Sequence, residues 1–148
     1  MKSLHLAGLD DLARLMPLVA AFHAEQGYGT DAQHVQAALE PILEGQPHGA
    51  IWLIGPRKSP VGYVVVSFGW SIEFGGLDAR VDELYIRPAV RRRGMGGEAL
   101  HALSNGLRDS GVAALHLEID RDDERLQGFF RRARLKPRER SVAMTRVF

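Results

Sequence analysis

The chain has 148 residues, 45% hydrophobic, 7% aromatic and 25% charged, with a formal net charge of +1. That composition describes a single globular domain spanning 1–148, large enough to bury its own core, and the near-neutral charge excludes a whole-protein basic field for nucleic acid. The absence of cysteine excludes disulfides, thiolate metal sites and cysteine nucleophiles together and fits a reducing, cytoplasmic setting. No apolar stretch nears the ~20 residues that span a bilayer, and acids by Asp10 and Asp11 speak against a signal peptide, so no membrane partner is expected. The two halves differ in sign: residues 1–75 carry 4 Lys/Arg against 7 Asp/Glu, and residues 76–148 carry 15 against 11.

In chain order, Leu4–Leu6 reads as a short strand. Asp10 or Asp11 then caps a helix whose Leu12, Leu15, Met16, Val19 and Phe22 recur at helical spacing, with Pro17 expected to kink or restart it. Gly27-Tyr28-Gly29 breaks the chain, and Asp31 caps a second helix through about Leu43. Ala50–Ile54, Val61–Phe68 and Leu77–Ile86 read as strands, the last stopped by Pro88. Arg93–Arg108 reads as a helix striped by Leu100, Leu103 and Leu107, with Gly111 beyond its end. Val112–Ile119 is a further strand, Asp122 or Asp123 caps a short helix bearing Leu126, Phe129, Phe130 and Ala133, and Ser141–Phe148 is expected to close the sheet. The order is roughly βααβββαβαβ, an α/β domain.

One segment carries most of the chemistry: Val81-Asp-Glu-Leu-Tyr-Ile-Arg-Pro-Ala-Val-Arg-Arg-Arg-Gly-Met-Gly-Gly-Glu-Ala-Leu100. A strand ends, an arginine-rich loop follows, and glycines open a helix. Amides at a helix start lack intrahelical acceptors and point outward, where the helix dipole adds to them. Gly94, Gly96 and Gly97 let a phosphate approach the backbone without meeting a Cβ. Arg91, Arg92 and Arg93 add cationic donors. A solvated basic turn is the plainer alternative, and the strand–loop–helix order weighs against it. Gly94-x-Gly96-x-x-Ala99 also satisfies the dinucleotide fingerprint, with Glu118 or Asp120 near the ribose-binding spacing. Against that reading, Arg87 to Arg93 separate the strand from the first glycine. Only 28 residues follow Asp120, too few for a second mononucleotide-binding half.

Arg91-x-x-Gly94-x-Gly96, preceded by Glu-Leu-Tyr-Ile-x-Pro, resembles the acyl-CoA signature of the GNAT superfamily of N-acetyltransferases, and the element order is similar over essentially the whole chain. The resemblance implies a mostly antiparallel mixed sheet, splayed at its centre and flanked by helices on both faces. It implies acetyl-CoA as co-substrate, with the amides of Arg91, Arg92, Arg93, Gly94, Met95, Gly96 and Gly97 holding the pyrophosphate. The backbone of Leu84, Tyr85 and Ile86 would pair with the pantetheine amides. A second similarity, Asp122-Asp123 followed by Phe129-Phe130 and Arg134-Leu135, brings Asp123 and Phe130 to the cofactor. Here Asp123 stands for the usual Asn, Phe130 for Tyr and Arg134 for Gly. The family tyrosine is credited with protonating the departing thiolate, a role Phe130 cannot fill. Family habit points to a homodimer.

Amine acetylation requires an alkylammonium to lose a proton to a positioned carboxylate or imidazole. Glu83, just before the pantetheine-pairing segment and on the sheet face shared with Tyr85, is the candidate base; Leu84 and Ile86 are expected to face the core. Asp82 and Glu118 are the alternatives. Phe22–Tyr28 lies where the family builds one wall of the acceptor pocket, with Glu25 to bind a cationic amine and Tyr28 to stack on it. Trp70–Gly76, with Glu73, is a second candidate wall. The resemblance implies a primary amine of a small molecule or peptide as acceptor, and polyamine, aminoglycoside, amino acid and protein N-terminus all stay open, because acceptor pockets come from variable loops. The six histidines, at 5, 23, 34, 48, 101 and 116, form no close pair, so no metal is expected. There is no Gly-x-Ser-x-Gly elbow. The run Arg131, Arg132, Arg134, Lys136, Arg138, Arg140 reads as a solvated face rather than a nucleic-acid site. The non-enzyme alternative is a CoA-binding protein without catalysis.

Overall fold

The computed structural model describes residues 3–148. They gather into two compact units, one ending at Glu118 and one over Ile119–Phe148. The first unit runs β1 (Leu4–Leu6), α1 (Leu12–Gln26), α2 (Ala32–Leu43), β2 (Gly49–Ile54), β3 (Gly62–Ser71), β4 (Gly76–Ile86), α3 (Met95–Asp109) and β5 (Ala114–His116). The five strands lie in sequence order, antiparallel from β1 to β4, and β5 joins β4 in parallel.

Alternation along β3 divides the apolar residues between two cores. Tyr63 joins Leu15, Leu18 and Val19 of α1 and Val35, Leu39 and Leu43 of α2, together with Ile51, Leu53 and Tyr85. Val64 and Val66 face the other way, onto Leu103 and Leu107 of α3, with Ala79 and Val81. Helices therefore cover both sheet faces. Between β3 and β4 the register slips: Val65 opposes Glu83, but Val66 opposes Val81, leaving Asp82 as an extra residue. The bulge reverses the alternation of β4. Glu83 and Tyr85 thereby face α1 and α2 while Val81 and Ala79 face α3. Gly62 is fixed by close approach, since a Cβ there would lie 2.1 Å from the Tyr85 carbonyl oxygen.

Three expectations are corrected. The helix does not restart at Pro17, which stands inside a continuous α1; its ring removes the backbone bond to the Ala13 carbonyl, and burial of Leu15, Leu18 and Val19 on either side holds the helix together. β5 is three residues long rather than the expected Val112–Ile119, because its ladder with β4 runs only over Asp78–Arg80. Ser141–Phe148 forms no strand. Val142, Met144, Val147 and Phe148 are exposed there, and β-propensity yields a strand only where a neighbour supplies the ladder. In the second unit α4 (Glu124–Arg132) is capped by the Asp123 carboxylate, which accepts the Leu126 amide at 3.0 Å. After α4, Arg134 adopts the left-handed conformation, φ 70°, that glycine ordinarily fills past a helix end.

Asp11 fastens the N-terminal half. Its buried carboxylate accepts the Gly8 amide at 2.9 Å, Arg14 at 2.8 Å and Arg57 at 3.0 Å, and Arg57 also reaches the Leu6 carbonyl. One side chain thus ties the end of β1, the start of α1 and the β2–β3 turn. Burial pushes this carboxyl up, but the Gly8 amide, Arg14 and Arg57 outweigh it and hold it below its usual value. A depressed folded value stabilises the fold fully above the unfolded one, about 3.9, and that stabilisation is lost as pH falls through the folded value. Asp11→Ala should cost about 1.5–3 kcal/mol at neutral pH, as for hydrogen bonds to a charged group. It should also lessen the loss of stability on acidification. Denaturant titrations at pH 7 and pH 3 on both proteins check both effects.

Candidate active site

The loop after β4 is built to offer amides. A single 3-10 turn, Pro88–Val90, leads into an extended Arg91, a left-handed Arg92 (φ 65°) and a left-handed Gly94 (φ 82°) that starts α3. A non-glycine residue at positive φ is strained, and alternating conformations of this kind turn successive amides toward one concavity. The first intrahelical bond is Glu98 to the Gly94 carbonyl, 3.0 Å, so the Met95, Gly96 and Gly97 amides precede the helical ladder. A Cβ built on Gly94 or Gly97 meets no heavy atom within 4 Å. These features fit a pyrophosphate held against the backbone.

Beside this loop the sheet opens. β5 leaves β4 at Arg80, so Val81–Ile86 has β3 on one edge and, among the described residues, no strand on the other. The Arg87 amide donates inward to Val61 at 2.8 Å, which sends the Ile86 carbonyl off the open edge. Alternation gives the Leu84 backbone the same outward sense and turns the Tyr85 amide and carbonyl toward β3. The Tyr85 ring is buried in the core under α1 and α2, and Leu84 packs toward α3. The Arg91 side chain folds back along the edge. Its Nε donates to the Ile86 carbonyl at 2.7 Å, and its Nη2 meets both carboxylate oxygens of Glu25 at 2.9 Å. The guanidinium carbon lies 5.5 Å from the centre of the Tyr85 ring.

Glu83 lies in this opening with both carboxylate oxygens engaged. Tyr63 donates its hydroxyl to Oε1 at 2.7 Å, and His23 Nε2 lies 2.7 Å from Oε2. The other imidazole nitrogen, Nδ1, is 2.6 Å from Thr30 Oγ1. The His23 and Glu83 side chains retain only 13% and 15% of their exposure. Burial first, and then the neighbouring Glu83 carboxylate, push the Tyr63 phenol far above its ordinary value, so it stays a donor. Tyr28 stands edge-on to His23, with ring centres 5.0 Å apart. Burial and the charges of Glu83 and Asp82 raise its phenol as well.

Helix ends place these groups. Gly27 terminates α1 at φ 70°, which turns the chain back so that the Tyr28 amide bonds the His23 carbonyl at 3.1 Å. Asp31 caps α2 by accepting the His34 amide at 2.8 Å, leaving Thr30 in the short connection. The structure thus brings Glu83, Tyr28, Glu25 and Arg91 into one neighbourhood. Glu73 sits apart on the exposed turn between β3 and β4. Of the alternative bases, Asp82 is the exposed bulge residue and Glu118 pairs with Arg80. Phe130 is buried in the second unit, edge-on to Phe129. Tyr63, His23 and Thr30 were not singled out by the sequence. His23 and Tyr63 lie 60 and 20 residues from Glu83, a separation that no local spacing reports. Among the described residues no group of three His, Cys, Asp or Glu could hold a metal ion.

The acetyltransferase (GNAT) family profile matches residues 16–134. No functionally curated protein matches the chain. Among solved structures, the chain is similar to integron cassette protein HFX_CASS3, from the mobile metagenome of Cole Harbour Salt Marsh. The identity is 31% over 99% of this chain and 91% of that one, with a TM-score of 0.85. A possible acetyltransferase from Clostridium difficile 630 shares the fold at 14% identity, covering 98% and 97% of the two chains, TM-score 0.86. So does aminoglycoside N-acetyltransferase AAC(6')-Iy, solved in complex with CoA, at 14% identity over 97% and 93%, TM-score 0.81. The chain belongs to the GNAT family of acetyltransferases.

Proposed function

We propose that this chain, acting as one N-acetyltransferase domain, moves the acetyl group of acetyl-CoA to a primary amine of a small molecule or peptide by direct attack of the amine on the thioester. The observation that carries this reading is the convergence within Glu83–Gly97 of three things the reaction needs. They are a carboxylate in a polar network, an open strand edge, and an outward-facing set of amides at a helix start. The Arg91–Gly97 amides would hold the pyrophosphate, with Arg92 and Arg93 supplying charge. The outward backbone of Leu84 and Ile86 would pair with the pantetheine amides as an added strand. Asp123 and Phe130 are assigned to the cofactor side by family resemblance alone. That AAC(6')-Iy was solved with CoA supports the choice of co-substrate. Glu83 is assigned to drive, directly or through its partners, the loss of the proton that an alkylammonium must give up before its nitrogen can attack. Glu25 and Tyr28 border the acceptor on the α1 side, and Glu73 is the remaining candidate contact.

Phe130, in place of a proton-donating tyrosine, favours a second reading, a CoA-binding protein without turnover. Release of free CoA from acetyl-CoA on addition of an amine panel separates the two: amine-dependent release supports the enzyme, and tight binding without release supports the binder. Gly96→Val should fold, judged by circular dichroism, and lose most of its acetyl-CoA affinity in calorimetry, because a branched side chain would occupy the space the pyrophosphate needs. Raised salt should weaken wild-type binding, since charges here are screened over roughly 8 Å at physiological ionic strength. Glu83→Gln should lower kcat by about 10²-fold or more with acetyl-CoA affinity unchanged, because the amide must aim its NH2 at either the Tyr63 hydroxyl or the His23 ring.

A further inference from the structure

From the arrangement around His23 we infer that the group that takes the amine's proton is this imidazole, working through the Thr30 hydroxyl. Glu83 then serves to position and stabilise it, and the groove between α1 and α2 is the seat of an aliphatic primary amine. The inference deepens the acetyltransferase reading above and rests on it.

The assignment follows from counting donors and acceptors. An ionised Glu83 only accepts. Its Oε1 is already served by the Tyr63 hydroxyl, and its Oε2 faces His23 Nε2 at 2.7 Å. The proton on neutral His23 must therefore sit on Nε2, which leaves a lone pair on Nδ1. Thr30 Oγ1, 2.6 Å from Nδ1, is then obliged to donate. A hydroxyl that spends its one proton on the ring presents only lone pairs to anything else in reach. Thr30 thus meets an incoming group as an acceptor, which suits an ammonium. Hydroxyl, imidazole and carboxylate stand in line, the base oriented by a third group, as nucleophile-activating arrays are built. Here the array serves to deprotonate.

The space in front of Thr30 has a matching character. A cavity of about 400 Å³ runs between α1 and the start of α2. Met16, Ala20 and Ala24 of α1 and Val35 of α2 give it apolar walls, and His23, Thr30 and Asp31, whose Oδ1 already accepts the His34 amide, add polar groups to the lining. Met16, Ala20 and Ala24 recur at helical spacing on one stripe, so a straight aliphatic chain can lie along them. The proton balance is simple. The ammonium N–H passes its proton to Thr30 Oγ1 as the Thr30 proton moves to Nδ1. The products are a neutral amine with a free lone pair and an imidazolium paired with the Glu83 carboxylate. Tyr63 keeps its proton throughout.

Three measurements test this on the intact protein. Nitrogen-15 NMR of free wild-type protein at neutral pH should show His23 protonated at Nε2; protonation at Nδ1 alone overturns the relay. Titration with n-butylamine should shift the His23 ring signals of wild type, and unmoved signals overturn the amine seat. Thr30→Val keeps the shape and removes the hydroxyl. It should lower kcat with n-alkylamines by about 10²-fold or more with the KM for acetyl-CoA unchanged, and Thr30→Ser should restore most of the turnover. Equal activity in Thr30→Val overturns the relay, as does equal loss in Thr30→Ser, which would mark Thr30 as structural. An acetyl group trapped on Thr30 would also overturn it, by making the hydroxyl a nucleophile. Wild-type protein that binds acetyl-CoA but releases CoA to no amine fails the acetyltransferase reading itself. The NMR titration reports on the amine seat independently of that failure.

Discussion

A single extra residue in a strand governs the geometry around the site. Were β4 regular, Val81, Glu83 and Tyr85 would all point the same way, because side chains alternate with a period of two. Either a carboxylate would be pressed into the apolar layer under α3, or Val81 would lose that layer. The Asp82 bulge removes the conflict: residues before it serve one core and residues after it serve the other. The same irregularity lies where β4 parts from β5, so the carboxylate and the open edge arise from one local departure. Bulges recur beside active sites because they re-aim side chains in this way.

Around that point the polar groups form closed sets. Glu83 satisfies Tyr63 and His23, and His23 satisfies Thr30, all at 2.6–2.7 Å. Low exposure strengthens each bond and would equally raise the penalty for leaving any member unpaired. A fully satisfied network of this kind is rigid, which holds the Glu83 carboxylate and the His23 ring at fixed positions in the opening. Asp11 does comparable work at the other end of α1, where the interaction fastens structure. The two ends of one helix are thus held by carboxylates, one from the helix entry and one from the sheet.

What could be read from the sequence divides along contact distance. The helices were legible from their stripes, the Asp31 and Asp123 caps from residue type, and the amide-rich loop from glycines within a few positions of one another. Each of these signals is local. Glu83 could be nominated because it adjoins the loop, but its partners could not: His23 looked like one of six scattered histidines, and Tyr63 like an ordinary strand aromatic. The bulge was also invisible, since nothing local in Val-Asp-Glu-Leu-Tyr marks Asp82 as the residue left without a partner on β3. The expected final strand failed for the converse reason. Residues 141–148 have strand composition, and composition does not provide a neighbour to pair with.

The Arg91 side chain has a further consequence for the free protein. An open strand edge is a template on which another chain can add its own backbone, and proteins that keep such an edge must guard it. Here the Ile86 carbonyl, which projects from that edge, is already taken by the Arg91 guanidinium, and Glu25 anchors the guanidinium from the side. The charge makes a hydrophobic strand an unwelcome neighbour, and the occupied carbonyl denies it a register. A charged side-chain cover can be displaced by a ligand that brings phosphates as well as amides, whereas an apolar peptide segment offers the guanidinium no counter-charge. The edge can therefore stay available to a ligand while remaining a poor seed for aggregation.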